Sequence, residues 1–156
     1  ALRYPRGEAY DGLKEFRSPM VYGKGEILYE EEDIAILAVG SMVKTAETVR
    51  RNLKDAGYSC TLVNGRFIKP VDTELIRELS REHKLLVTIE ENVRSGGFGE
   101  KVQDYVIEQK LPVNILTIAL PDEYVEHGNV ELLYEEVGID AESVTKRIVE
   151  KYILSK

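Results

Sequence analysis

Lys84-Leu85-Leu86-Val87-Thr88-Ile89-Glu90-Glu91-Asn92-Val93-Arg94-Ser95-Gly96-Gly97-Phe98-Gly99 changes character twice along its length. Leu85 to Ile89 is apolar and partly β-branched, the composition of a strand buried on both faces. It runs into two carboxylates and an asparagine, where the strand is expected to stop. A glycine-rich loop follows, and Phe98, Val102 and Tyr105/Val106 then recur at helical spacing. Strand, polar turn, glycine loop and helix make half of a βαβ unit. In open α/β sheets the turns at the carboxyl ends of the strands are where ligands and partners are met.

The rest of the chain repeats this plan on either side. Residues 1 to 25 carry Pro5, Gly7, Gly12, Pro19, Gly23 and Gly25 with no sustained period, and read as an arm or linker from a missing upstream domain, with the domain proper over 26–156. Glu26 to Tyr29 is a short edge strand, and Ile34 to Val39 is apolar enough to be the central one. Ser41 is placed to cap a helix whose buried face is Met42, Ala46, Val49, Leu53 and Ala56, with Gly57 ending it. Cys60 to Val63 is the next strand. Asp72 caps a helix carrying Leu75, Ile76 and Leu79; a helix from about Phe98 to Lys110 leads to a last strand, Val113 to Leu120. Asn129 and Asp140 cap two closing helices, the second with Ala141, Val144, Ile148 and Tyr152 on one stripe. The alternation predicts right-handed crossovers and a mainly parallel sheet covered on both faces.

With 156 residues there is room for one domain with a real core and not for two ordinary ones. A formal net charge of -7 argues against nucleic acid, because phosphate neutralisation needs a basic face. No apolar run reaches the length of a membrane span and no signal peptide opens the chain, so cytoplasm is the expected compartment. The lone Cys60 excludes an internal disulfide and any multi-cysteine metal site. A chain that begins at Ala1, mid-pattern, reads as a fragment or a processed product.

Each candidate site has a plain alternative. Gly96, Gly97 and Gly99 precede a helix, where free N–H groups favour an anion, yet the spacing is neither the dinucleotide fingerprint nor a Walker loop. Close packing or positive φ is the favoured explanation for these glycines. Glu90 and Glu91 are adjacent on a strand and so face opposite ways, which argues against an acid/base pair. One is expected to cap or pair locally, the other to face a neighbouring domain together with Asn92. His83 closes a helix and His127 lies in the polar loop 121–128. Both read as surface or interface histidines, too far apart to share a metal. Cys60 reads as a buried inert thiol. Arg3 and Arg6 flank Tyr4-Pro5 on a stiffened arm, a fork suited to a carboxylate or phosphate.

Arg3-Tyr4-Pro5-Arg6-Gly7, Gly23-Lys24-Gly25, Arg66-Phe67-Ile68-Lys69-Pro70-Val71-Asp72, Thr88-Ile89-Glu90-Glu91-Asn92, Gly96-Gly97-Phe98-Gly99, Leu120-Pro121-Asp122 and Glu126-His127-Gly128 follow one another in a specific order. That ordered set resembles the C-terminal domain of the 1-deoxy-D-xylulose-5-phosphate synthases, in the transketolase group. Gly65, where a slightly larger small residue is usual, is a minor departure. The resemblance implies a three-layer α/β/α domain with a five-stranded, mostly parallel sheet and one antiparallel edge strand, Glu26 to Tyr29. It implies a parent enzyme that joins pyruvate to glyceraldehyde 3-phosphate with loss of CO2, feeding isoprenoid, thiamine and pyridoxal synthesis. The parent enzyme would be a homodimer. Thiamine diphosphate would lie between the upstream domains, held through Mg2+ by a Gly-Asp-Gly motif that this chain lacks. The catalytic glutamate and histidines also belong upstream. This stretch is therefore expected to be inactive alone, to bind neither cofactor nor metal, and to supply one substrate contact: Arg6, which matches the arginine that holds the phosphate of glyceraldehyde 3-phosphate. Arg3 matches no contact. Glu90, Glu91, Asn92, Gly96, Gly97, Gly99 and His127 would then pack on upstream domains or across the homodimer.

Three alternatives stand beside this one. They are the equivalent domain of a transketolase or a 2-oxo acid dehydrogenase β subunit, a free-standing phosphate or nucleotide module using the Gly96–Gly99 loop, and a pure association module.

Overall fold

The computed structural model describes residues 10–16 and 18–154. Five strands, β1 (Glu26–Tyr29), β2 (Asp33–Ala38), β3 (Cys60–Asn64), β4 (His83–Val93) and β5 (Asn114–Leu120), form one sheet in the order β1-β3-β2-β4-β5. Only β1 runs antiparallel, against β3; the other pairings are parallel. The expected antiparallel edge strand and central Ile34 run are both found.

The helices are α1 (Met42–Asp55), α2 (Thr73–Glu82), α3 (Phe98–Glu108), α4 (Val130–Val137) and α5 (Ala141–Leu154). Alternating residues of the sheet face two separate cores. Ile34, Ile36, Leu85, Val87 and Ile89 pack with α1 and α5, whereas Ala35, Leu37, Leu86 and Val63 pack with α2 and α3. This gives three layers, helix, sheet and helix, as the resemblance implies.

Cap residues were legible where the chemistry is local. Asp72 accepts from the Leu75 amide at 3.2 Å, and Asn129 and Asp140 accept from the first turns of α4 and α5. Gly57 closes α1 at φ +84°, with the Tyr58 amide reaching back to the Leu53 carbonyl.

Four expectations need correction. β4 does not stop at the carboxylates but runs on to Val93, which pairs with Leu120 after a register shift. Ser41 precedes α1 but does not cap it. Its backbone is already helical, and its hydroxyl donates instead to Glu91 at 2.5 Å. Ala56 lies outside the buried stripe of α1 and is exposed. His83 is not a surface residue: at 5% exposure it sits in the interior, Nδ1 facing the Leu79 carbonyl at 3.0 Å. Its Nε2 lies 2.9 Å from Thr61 Oγ1.

That histidine belongs to a polar seam at the amino ends of the strands. The Glu31 carboxylate accepts from the Cys60 amide and from Arg50, and Arg50 stacks on Tyr29. Burial alone would raise the Glu31 carboxyl, but the Cys60 N–H, Arg50 and Lys54 outweigh it and hold it below its usual range. Cys60 is fully buried and burial pushes its thiol up to about 12, as expected of an inert cysteine.

Candidate functional site

Crossovers leave β2 towards β3 on one side and β4 towards β5 on the other, so the strand order reverses between β2 and β4. The carboxyl ends of these two strands form the switch point of the sheet. A cleft of about 260 Å³ opens there, lined by Val39, Gly40, Ser41, Ile68, Glu90, Glu91 and Asn92.

The two glutamates diverge as strand geometry requires. Glu90 is 1% exposed and points to the α3 side, where its two carboxylate oxygens accept from the Phe98 amide at 2.8 Å and the Gly99 amide at 2.7 Å. The free N–H groups that begin α3 therefore already hold an anion, and it is the chain's own carboxylate. Glu91 points to the opposite layer and is exposed. It accepts from Ser41 and is hydrogen-bonded to Tyr134 of α4; burial and this carboxylate push the Tyr134 hydroxyl up to about 12. Asn92 is exposed at the cleft rim.

The glycine loop is explained by space and by backbone. Gly96 has φ +73°, which favours glycine. A Cβ on Gly97 would lie 2.6 Å from the Glu90 carboxylate and 2.7 Å from the Val93 carbonyl. One on Gly99 would meet Thr88 Oγ1 at 2.5 Å and Thr117. Positive φ at Gly96 and close packing at Gly97 and Gly99, the plainer reading of this motif, account for all three positions.

A second cluster at this end ties the arm to the domain. Arg66 pairs with Glu26 and reaches the Ser18 carbonyl at 3.3 Å and the Pro19 carbonyl at 3.4 Å. The Ser18 amide returns a bond to Glu26 at 3.0 Å. Both side chains are about nine-tenths buried, at 10% and 9% exposure. Burial would raise the Glu26 carboxyl, yet Ser18 and Arg66 hold it below its usual value. The Asp72 carboxylate binds Lys24 at 3.2 Å and the Gly25 amide at 3.1 Å. Nothing local in the sequence marks Glu26 and Arg66 as a pair, since forty positions separate them. His127 is exposed on its loop and is not drawn into the cleft lining. Arg6 and Arg3 lie outside the described residues.

Among the described residues no three His, Cys, Asp or Glu side chains converge as metal ligands. With the amides at the start of α3 taken by Glu90, the cleft does not fit a diphosphate with its metal. No helix among the described residues is long and apolar enough to cross a membrane.

Residues 23–144 match the family described as "Transketolase, C-terminal domain". The chain belongs to the transketolase C-terminal domain family. Within this family it is 47% identical over 149 residues to the 1-deoxy-D-xylulose-5-phosphate synthase of Lachnoclostridium phytofermentans. It is 41% identical over 153 residues to the synthase of the same name from Alkaliphilus oremlandii. These alignments take in 95% and 97% of this chain but 24% of each relative, so the chain spans about a quarter of the length of these curated relatives. Among solved structures, a split-gene transketolase described as an inactive β4 tetramer superposes with a TM-score of 0.81 at 27% identity, over 88% of this chain and 45% of that one. Transketolase from Campylobacter jejuni superposes at 0.60 with 14% identity over 82% of this chain and 18% of that one, a likeness of fold alone.

Proposed function

We propose that this transketolase C-terminal domain is the C-terminal part of a 1-deoxy-D-xylulose-5-phosphate synthase, serving a condensation of pyruvate with glyceraldehyde 3-phosphate whose reaction centre lies in preceding domains. The observation that carries this reading is identity of 38–47% with synthases of that name along nearly the whole chain. The ordered motifs from Arg3 to Gly128 support it independently. Residues 1–25 connect to the upstream domains, and Arg66, Glu26 and Asp72 pin the last part of that connection. Thiamine diphosphate and Mg2+ belong to those domains, and the parent enzyme is a cytoplasmic homodimer. The domain acts as a folded support with an interface at the switch-point cleft, where Asn92 and Ile68 stand exposed. Glu90 in the α3 slot counts against a free-standing phosphate module using Gly96 to Gly99.

Arg6 lends a guanidinium to the phosphate of glyceraldehyde 3-phosphate. A charge-assisted bond of this kind is worth ~1.5–3 kcal/mol. In the full-length synthase, Arg6→Ala is expected to raise the KM for glyceraldehyde 3-phosphate about ten- to a hundredfold and leave that for pyruvate unchanged. An unchanged aldehyde KM removes the assignment. Turnover by the isolated 156-residue chain removes the larger proposal.

A further inference from the structure

Arg66 has an uncommon backbone for its side chain. It turns at φ +53°, in the left-handed region that disfavours most residues other than glycine. The Phe67 amide reaches back across it to the Gly65 carbonyl at 2.5 Å, and the Asn64 side chain accepts from the Arg66 amide at 3.1 Å. Such a conformation persists only where the surroundings impose it, and positions of this kind cluster at clamps and switches. The turn brings the guanidinium to the arm. There it donates to the Ser18 and Pro19 carbonyls and to Glu26, whose carboxylate takes the Ser18 amide in return. Both charged side chains are about nine-tenths buried. A buried ion pair is weak evidence for stability, because desolvation offsets its attraction; its better-attested use is to fix one arrangement among several.

The arrangement fixed here is the path of the arm. Its other ties lie nearer the surface: Phe16 packs edge-on against Tyr29, and the hydroxyl of Tyr10, a residue 45% exposed, donates to Glu47 of α1. Tyr10 stands four residues after Arg6, so a chain held at Tyr10 can carry Arg6 no farther than about 14 Å from it. We propose that Arg66 is a positioning residue: by holding the arm at Ser18 and Pro19, it sets where Arg6 meets the phosphate of the aldehyde substrate. The assignment rests on the proposed synthase reading, in which Arg6 holds that phosphate. A binding group displaced by about an ångström loses much of its effect, so release of the arm weakens the contact without touching it.

In the full-length synthase, Arg66→Lys keeps the charge but not the planar fork. It is expected to raise the KM for glyceraldehyde 3-phosphate about five- to tenfold, with kcat and the KM for pyruvate unchanged. Arg66→Met combined with Glu26→Gln does the same without leaving a buried charge alone. Either change made on top of Arg6→Ala adds nothing, because the guanidinium being positioned is gone. In the 156-residue chain, amide exchange from Ser18 to Gly25 quickens in both variants while that of β2 and β4 does not, which reports release of the arm without loss of fold. An aldehyde KM that Arg6→Ala raises and both clamp variants leave unmoved overturns this inference alone. So does an effect that multiplies with that of Arg6→Ala, which assigns Arg66 to general support. An aldehyde KM unmoved by Arg6→Ala itself removes the phosphate reading and this inference with it. Arm amides that exchange alike in wild type and variants overturn the clamp whatever reaction the enzyme catalyses.

Discussion

The carboxylate of Glu90 lies 2.8 Å from the amide nitrogen of Phe98, with both residues almost wholly buried. A strand end and a helix start are thereby locked by one side chain, and the second oxygen takes the Gly99 amide. Removing the carboxylate leaves two buried donors unpaired, each costing about 1–3 kcal/mol. Glu90→Ala is therefore expected to destabilise the domain by ~2–5 kcal/mol in urea unfolding. Glu90→Gln keeps one acceptor and should lose about half as much. A Glu90→Gln variant as stable as wild type, beside a large loss for Glu90→Ala, would show that the volume of the side chain and not its bonds carries the effect.

Glycines 96 and 99 separate two causes within a single loop. Nothing lies within 4 Å of a Cβ built on Gly96, so Gly96→Ala meets only the penalty of a positive φ, about 1 kcal/mol. Gly99 is pressed on Thr88 and Thr117, and Gly99→Ala must push α3 off the sheet at about 1–3 kcal/mol. A lower Tm for Gly99→Ala than for Gly96→Ala is the expected order; the reverse order would place the constraint in the backbone.

Both threonine hydroxyls under Gly99, Thr88 Oγ1 and Thr117 Oγ1, are buried without a hydrogen-bond partner among the described residues. A buried unpaired hydroxyl is a cost that an apolar group of the same shape avoids. Thr88→Val is accordingly expected to leave stability unchanged or raise it by about 1 kcal/mol, read as a shift in the urea midpoint. A clear loss of stability would mean that the hydroxyl has a partner after all, such as ordered water.

What the sequence disclosed and what it withheld divide along chain distance. The Ile34 and Leu85 runs, the Met42–Leu53 stripe and the Asp72 cap depend on neighbours a few residues away, and each was readable from periodicity or cap chemistry. Adjacent placement of Glu90 and Glu91 on a strand was enough to split their roles. The partner of Glu90 was not readable, because the amides it binds come eight and nine residues later, across the loop. Arg66 meets Glu26 across forty positions, and His83 meets Glu31 across fifty-two. Only the closed sheet brings those pairs together. The extension of β4 through two carboxylates was missed for the same reason: a charged strand end is tolerable only when a helix N-terminus stands ready to receive it.

The seam at the amino ends of the strands yields a prediction in pH. In the folded chain, the Cys60 amide, Arg50 and Lys54 outweigh the burial that would raise the Glu31 carboxyl, so its pKa lies below its ordinary value. A depressed carboxyl contributes stability that is present above the unfolded pKa, about 4.3, and is lost as pH falls through the folded pKa. Wild type should exceed Glu31→Gln in unfolding free energy at neutral pH, and the gap should close as the pH is lowered towards about 3. Arg50→Met, which removes the paired guanidinium but keeps much of the contact with Tyr29, should move the wild-type acid transition to higher pH. A gap between wild type and Glu31→Gln that is constant from neutral pH to about 3 would assign the effect of Glu31 to packing, and the ionised form would then owe nothing to the fold.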